Sequence, residues 1–314
     1  MMVSGDPGGG RDRDGGRSGL WENSDASINR MRKIKTFLLD LDGTFYLGDH
    51  ILPGSLRFIE VLRQTGRDFF FVTNNSSKNA SYYAEKISRM GVSVSPHQIF
   101  TSGEATVYYL QSMGIGKGAK LYVAGTEYLK DDFRKAGFNP DWAAECTVRR
   151  ATGAADCADY SAAEPPEAVI LGFDTDFDYA RLTQIGNLIR RGVPFIVTHP
   201  DLNCPTPDGP VPDCGALTAA VVAATGVEPV VVGKPAVHMI DAFCAKYGTE
   251  RNTLAMVGDR LYTDIAIGIN AGILAVLVLS GETTADDLKA ATYRPDLVLK
   301  DLGEAAARLQ PLER

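Results

Sequence analysis

The octapeptide Phe37-Leu38-Leu39-Asp40-Leu41-Asp42-Gly43-Thr44 restricts the fold of this chain more than any other stretch. Its apolar start, with no polar alternation, reads as a strand covered on both faces, as in a parallel sheet. It stops abruptly at two carboxylates one residue apart and then turns on a glycine. In an open α/β sheet the ligand site lies outside the carboxyl ends of the strands. Two aspartates there repel each other and push their pKa values apart, so they are costly unless a cation sits between them or one stays protonated. Two plainer readings compete: Asp42-Gly43 is also an ordinary turn after a strand, and Asp40 is also an acceptable helix cap.

Three further stretches weigh against the plainer readings. The strand Phe69 to Val72 runs into Thr73-Asn74-Asn75-Ser76-Ser77, whose hydroxyls and helix N-terminal N–H groups suit an oxyanion or serve as a simple N-cap cluster. Val230 to Val232 reads as a buried strand ending in Gly233-Lys234-Pro235, with the proline at the first turn of a helix over 236–247. Leu254 to Gly258 ends in Asp259, with Asp264 five residues on. In a doubly wound parallel sheet the ends at Asp40/Asp42, Thr73, Lys234 and Asp259 converge on one edge. Two or three carboxylates completed by water oxygens form a hard octahedral site of the kind Mg²⁺ accepts. Thr73 and Lys234 then remain for phosphate oxygens.

Between these stretches lies a second alternation: strand 121–124, helix 127–136, strand 168–171, helix 179–191 and strand 195–198. Within it, 139–166 is an irregular surface segment. Gly114 to Gly118 lacks the spacing of a phosphate loop and precedes a strand, so it reads as a turn. A length of 314 residues suits two domains. The net charge of −7, with no basic stripe, excludes a nucleic-acid footprint. The apolar run Ile273 to Leu279 is far short of the ~20 residues a membrane span requires. Five cysteines without zinc or CxxC spacing read as reduced thiols of a cytoplasmic protein. Residues 1–30, rich in Gly, Arg, Asp and Ser, are expected to be disordered. Translation from Met31 is the favoured alternative for them, and they carry no secretory or transit signal.

Taken together, Asp40-x-Asp42-Gly-Thr, the Thr73 strand end, Gly233-Lys234-Pro235 and Gly258-Asp259-(x4)-Asp264 resemble the four motifs of the haloacid dehalogenase superfamily. Phe71-Val-Thr-Asn-Asn-Ser-Ser77, Thr198-His-Pro-Asp-Leu-Asn-Cys204 and Val232-Gly-Lys-Pro235 are similar to its NagD-like, p-nitrophenyl-phosphatase-type branch, subfamily IIA. The resemblance implies a Rossmann-like doubly wound parallel-sheet core (31–116 and 209–314) with an inserted α/β cap of the C2 type (117–208). It implies a phosphatase in which Asp40 attacks phosphorus and forms an aspartyl-phosphate, while Asp42 handles the proton of the leaving group and then of water. It also implies Mg²⁺ on the Asp40 carboxylate, the Asp42 carbonyl and Asp259, with Asp264 holding a metal water or Lys234. Thr73, Asn74 and Lys234 would meet the phosphate oxygens. Asp201, Leu202, Asn203 and Cys204, in a loop expected to close over the phosphate edge, would set the choice among small phosphorylated metabolites; the alternative is a proline-stiffened linker, with the choice made in 139–166. That loop offers no aromatic ring for a nucleobase. A homodimer through the cap is a further expectation from the family. A phosphomutase, or a non-catalytic phospho-ligand-binding regulator of the same fold, is the alternative.

Overall fold

Strands buried on both faces need helices above and below, and the chain supplies them around two parallel sheets. The computed structural model describes residues 23–142, 149–150, 158–159, 164–206 and 208–310. The larger sheet has six strands in the order Leu297–Leu299, Leu274–Val278, Leu254–Gly258, Thr36–Leu39, Asp68–Thr73, Ile99–Thr101, all parallel. Leu39 lies opposite Val257 on one side and Phe71 on the other. The chain leaves the central strand Thr36–Leu39 toward Asp68–Thr73 and returns much later to its opposite flank. That reversal of strand order opens a crevice at the carboxyl end of the central strand, where Asp40 stands.

Alternation along the central strand sends its side chains to two cores. Phe37 and Leu39 pack with Phe58, Phe71 and Val257 beneath the helices Ser55–Gln64, Ala80–Arg89 and Leu302–Leu309. Phe37 meets Phe58 edge-on at 5.5 Å. Leu38 points the other way, into a cluster with Val72, Met256 and Phe243. Each fully buried Leu or Phe contributes ~1.5–3 kcal/mol of transfer free energy. The glycine at 258 is fixed by packing, because a Cβ there would lie 2.2 Å from the Asp264 carboxyl carbon.

The smaller sheet runs Val230–Val231, Phe195–Val197, Ala168–Leu171, Leu121–Ala124, again parallel. Its residues Leu121, Val123, Ile170 and Ile196 join the same apolar cluster as Leu38 and Val72. Its other face is covered by Tyr179–Arg190 and Cys214–Thr225 through Ile185, Leu188 and Val221. The Gly114 to Gly118 turn leads into this sheet, with Gly118 N–H donating to Gly137 O at 2.8 Å. Most of the segment 139–166 lies outside the described residues; of the described ones, Arg149–Arg150 and Ala158–Asp159 form a short antiparallel ladder.

Three expectations need correction. Residues 25–30 are helical, in Asp25–Lys33, capped by Ser24. Ile28 and Met31 are buried there, and Asn23 exchanges two hydrogen bonds with the Val298 backbone. One apolar pair at i, i+3 inside a polar stretch is too short a periodic signal to read as a helix. Residues 1–22 lie outside the described residues. Second, Val230–Val231 belongs to the smaller sheet, at its edge, and Val230 is exposed. Lys234 therefore comes to the site from the neighbouring sheet's strand. With the helix Cys214–Thr225, that sheet reaches past residue 208, where the insertion was expected to end. Third, the helix after Lys234 begins at His238, so Pro235 precedes its first turn. No helix among the described residues is long and apolar enough to cross a membrane.

Candidate active site

Four strand ends meet over the crevice. Asp40, whose N–H donates to Val257 O at 2.9 Å, follows the central strand. Asp259 follows the neighbouring strand Leu254–Gly258, and Asp264 sits in the turn Leu261–Ile265. One carboxylate oxygen from each of Asp40, Asp259 and Asp264 lies within 4.8 Å of the others, and the group is buried. Gly43, at φ +82°, allows this approach, since a Cβ there would lie 2.4 Å from Asp259 Oδ2.

One buried cation opposes the three acids. Lys234 Nζ lies 2.5 Å from Asp40 Oδ1, 2.7 Å from Asp264 Oδ1 and 3.3 Å from Val72 O. Those acceptors take all three ammonium N–H groups, so a phosphate oxygen reaching Lys234 must displace one of them. Burial acts to lower the lysine's pKa, but Asp264 and Asp40 outweigh it and hold the group above its ordinary value, fully charged. Burial pushes the Asp40 carboxyl well above the usual range; Lys234 pulls it down, and Asp264 and Asp259 push it up again. Burial and then Asp264 raise Asp259 to about 6, although Glu282 N–H and the Thr44 hydroxyl donate to it at 2.7 and 3.2 Å.

The other expected residues separate by what their atoms are free to do. Thr73 is buried; its Oγ1 accepts from Asn75 N–H at 3.2 Å and donates to no described residue, leaving its proton for a ligand. Asn74 differs. Its Oδ1 accepts Lys234 N–H at 2.8 Å, and its Nδ2 donates to Lys234 O at 2.9 Å and Asp201 Oδ1 at 3.2 Å. The amide thus clamps the lysine's backbone, and its side chain has no donor left for phosphate. Asp42 stands outside the carboxylate cluster with its side chain meeting solvent. Partial loss of its hydration raises its pKa, while Lys86, Arg260 and Lys234 pull it down.

Asp40, Asp42 and Thr73 open on a small cavity of about 50 Å³, walled also by Asp201, Asn203, Cys204 and Arg260. The hairpin pairing Asn203–Cys204 with Val211–Pro212 therefore lies over the phosphate edge. Leu202 is absent from this wall, is 62% exposed, and lines a larger groove outside it. Across that groove stands Tyr262, so an aromatic ring is present, contributed by the core. Cys204 is a free thiol, pushed up to about 11 by burial.

This geometry can be set beside known proteins. Residues 37–139 match the family described as haloacid dehalogenase-like hydrolase, and residues 231–305 match a HAD-hydrolase-like family. The chain is 36% identical over 276 residues to phosphoglycolate phosphatase 1A, chloroplastic, of Arabidopsis thaliana, covering 85% of this chain and 74% of that protein. The chain belongs to the haloacid dehalogenase-like hydrolases. It is also 32% identical to the acid sugar phosphatase of Staphylococcus aureus, covering 89% of this chain and all of that one. Among solved structures, a 4-nitrophenylphosphatase from Thermotoga maritima shares 42% identity at a TM-score of 0.77, covering 90% of this chain and 99% of the other. Such neighbours place the chain in the NagD-like branch, with phosphatase chemistry of the haloacid dehalogenase type.

Haloacid dehalogenase phosphatases generally use a divalent metal, and the donor set fits one. Three buried carboxylates face one lysine, all the donors are hard oxygens, and burial together with Asp264 holds Asp259 at about 6. Because a ligating carboxylate must be ionised, divalent affinity should weaken as pH falls through about 6. A Mg²⁺ titration at pH 7.5 and at pH 5 is expected to show at least a ~10-fold weaker apparent affinity at the lower value. Equal affinities would mean that Asp259 is either not a ligand or not raised to about 6.

Sequence reasoning missed Arg260 and Asp213. Arg260 directly follows Asp259 at a strand end, a position that could have marked it. Asp213, 3.4 Å from the buried His199, lines the small cavity only because the hairpin folds back; no local pattern announces that.

Proposed function

We propose that this chain is a Mg²⁺-dependent phosphatase hydrolysing small phosphorylated metabolites, sugar phosphates, phosphoglycolate or nucleotide monophosphates, through an aspartyl-phosphate on Asp40. The observation that carries the reading is the Asp40 carboxylate, buried at the strand-order reversal, 2.5 Å from Lys234 and opening on a cavity shared with Asp42 and Thr73. Asp40 and Asp259, with the Asp42 carbonyl, would hold the ion, and Asp264 would fix Lys234. When bound, Mg²⁺ would supply positive charge that lets an anionic nucleophile meet an anionic substrate.

The chain's own residues account for the rest. An Asp40 oxygen attacks phosphorus, forming a P–O bond as the P–O bond to the leaving group breaks. Asp42, raised in pKa and reachable by solvent, delivers its proton to the departing alkoxide. It then takes a proton from the water that attacks phosphorus and releases Asp40; general acid–base help of this kind contributes ~10²–10⁴-fold. Lys234 and the free Thr73 hydroxyl offset the charge on the phosphoryl oxygens. The likeness to a phosphoglycolate phosphatase and an acid sugar phosphatase supports a small substrate. A cytoplasmic site of action and a homodimer through the cap belong to the same reading.

Release of inorganic phosphate from a panel of phosphomonoesters tests it. Turnover should require Mg²⁺, vanish in excess EDTA and fail with Ca²⁺, which tolerates more ligands and looser geometry and so lets both Asp40 oxygens bind the ion. Full activity in EDTA would refute the metal site. Transfer of phosphate to a second hydroxyl without its release would favour a mutase.

A further inference from the structure

The cavity over Asp40, about 50 Å³, is small beside the groove of about 640 Å³ that adjoins it. The two share Asp201, Asn203, Pro205 and Arg260, so a leaving group that extends from the inner cavity enters the groove past these residues. Among the described lining residues of both, Arg260 alone is cationic.

Arg260 is held ready for a ligand. Glu282 Oε2 lies 2.9 Å from its Nε, an ion pair without the alignment of a hydrogen bond, while Glu282 Oε1 accepts from the Tyr262 hydroxyl at 2.9 Å. The Glu282 N–H bonds to Asp259 at 2.7 Å, tying this set to the carboxylate cluster. The two terminal guanidinium nitrogens donate no hydrogen bond to any described residue. A planar fork with free donors matches a carboxylate or phosphate bidentately. The other charged residues lining the outer groove, Asp201 and Glu282, are acids that the Asn74 amide and Arg260 already engage.

We infer that Arg260 is a specificity-determining residue that selects phosphomonoesters whose leaving group carries a second anionic group, a carboxylate or phosphate, a few atoms from the scissile ester. This inference rests on the phosphatase reading above and deepens it. The cleanest substrate pair is 2-phosphoglycolate and ethyl phosphate, which differ in the carboxylate. Wild-type kcat/KM should favour 2-phosphoglycolate on the order of 10- to 100-fold, the range of a hydrogen bond to a charged group. In Arg260→Gln the ratio should collapse toward unity, whatever happens to the common rate, and Arg260→Lys should recover part of it. A wild-type ratio near unity overturns the inference, as does a ratio unchanged in Arg260→Gln. Calorimetric binding of the same pair to Asp40→Asn protein with Mg²⁺ removes turnover from the comparison. The preference and its loss in the double variant should persist there even if the catalytic reading fails, and their absence counts against Arg260.

Discussion

Asp40→Asn is expected to lower turnover by at least ~10³-fold, about 4 kcal/mol of lost transition-state stabilisation. An amide oxygen is no nucleophile toward phosphorus, and neighbouring Asp42 lies outside the carboxylate cluster and cannot replace it in line. The fold should not suffer. Asp40 is a buried acid whose ionisation Asp264 and Asp259 oppose, so neutralising it removes repulsion. Lys234 keeps Asp264 and the Val72 carbonyl as acceptors. Thermal unfolding without metal should therefore stay level or rise. Steady-state kinetics and a melting curve on the same preparation decide the matter. Retention of more than a tenth of wild-type turnover would remove Asp40 from the nucleophile's role.

Lys234→Met should damage both activity and stability. The lysine is 2% exposed and makes two ion pairs at 2.5 and 2.7 Å. Removing one member of a buried pair leaves an uncompensated charge, at a cost of ~3–5 kcal/mol. Here two acids lose the lysine that pairs with both. Turnover should also fall by ~10³-fold or more, since charge preorganised at the phosphoryl oxygens is lost in a water-poor site. Adding Asp264→Asn separates the effects. The double variant should regain part of the lost stability, measured by denaturant unfolding, and none of the turnover. Restored activity would mean that Lys234 serves only to neutralise Asp264.

Much of this was readable from the chain alone. Phe37 to Leu39, buried strand and abrupt acid, needs only local hydrophobicity to be recognised, and a parallel sheet then dictates where its end must lie. The motif positions Asp40, Thr73, Asp259 and Asp264 follow from the same logic, because each residue's place is fixed by the strand or turn that carries it. The short helix Asp25–Lys33 was not readable, since its stability comes from Ile28, Met31 and the Asn23 side chain meeting distant residues.

Lys234 marks the boundary between the two kinds of information. Gly233-Lys234-Pro235 marked it as a candidate site residue, yet the sheet that delivers it was misread, because a two-residue edge strand carries no signal of which neighbour it pairs with. The same limit explains Asn74, a phosphate ligand by local pattern and a backbone clamp once Lys234 lies against it. It also explains Arg260 and Tyr262, which line a groove only once the hairpin of Asn203–Cys204 and Val211–Pro212 folds over them. The elements and the reactive groups at their ends depend on neighbours a few residues away and can be read along the chain. Which donors stay free and which walls face each other emerges only in the folded molecule, because hydrogen-bond capacity and cavity shape are set by residues more than a hundred positions apart.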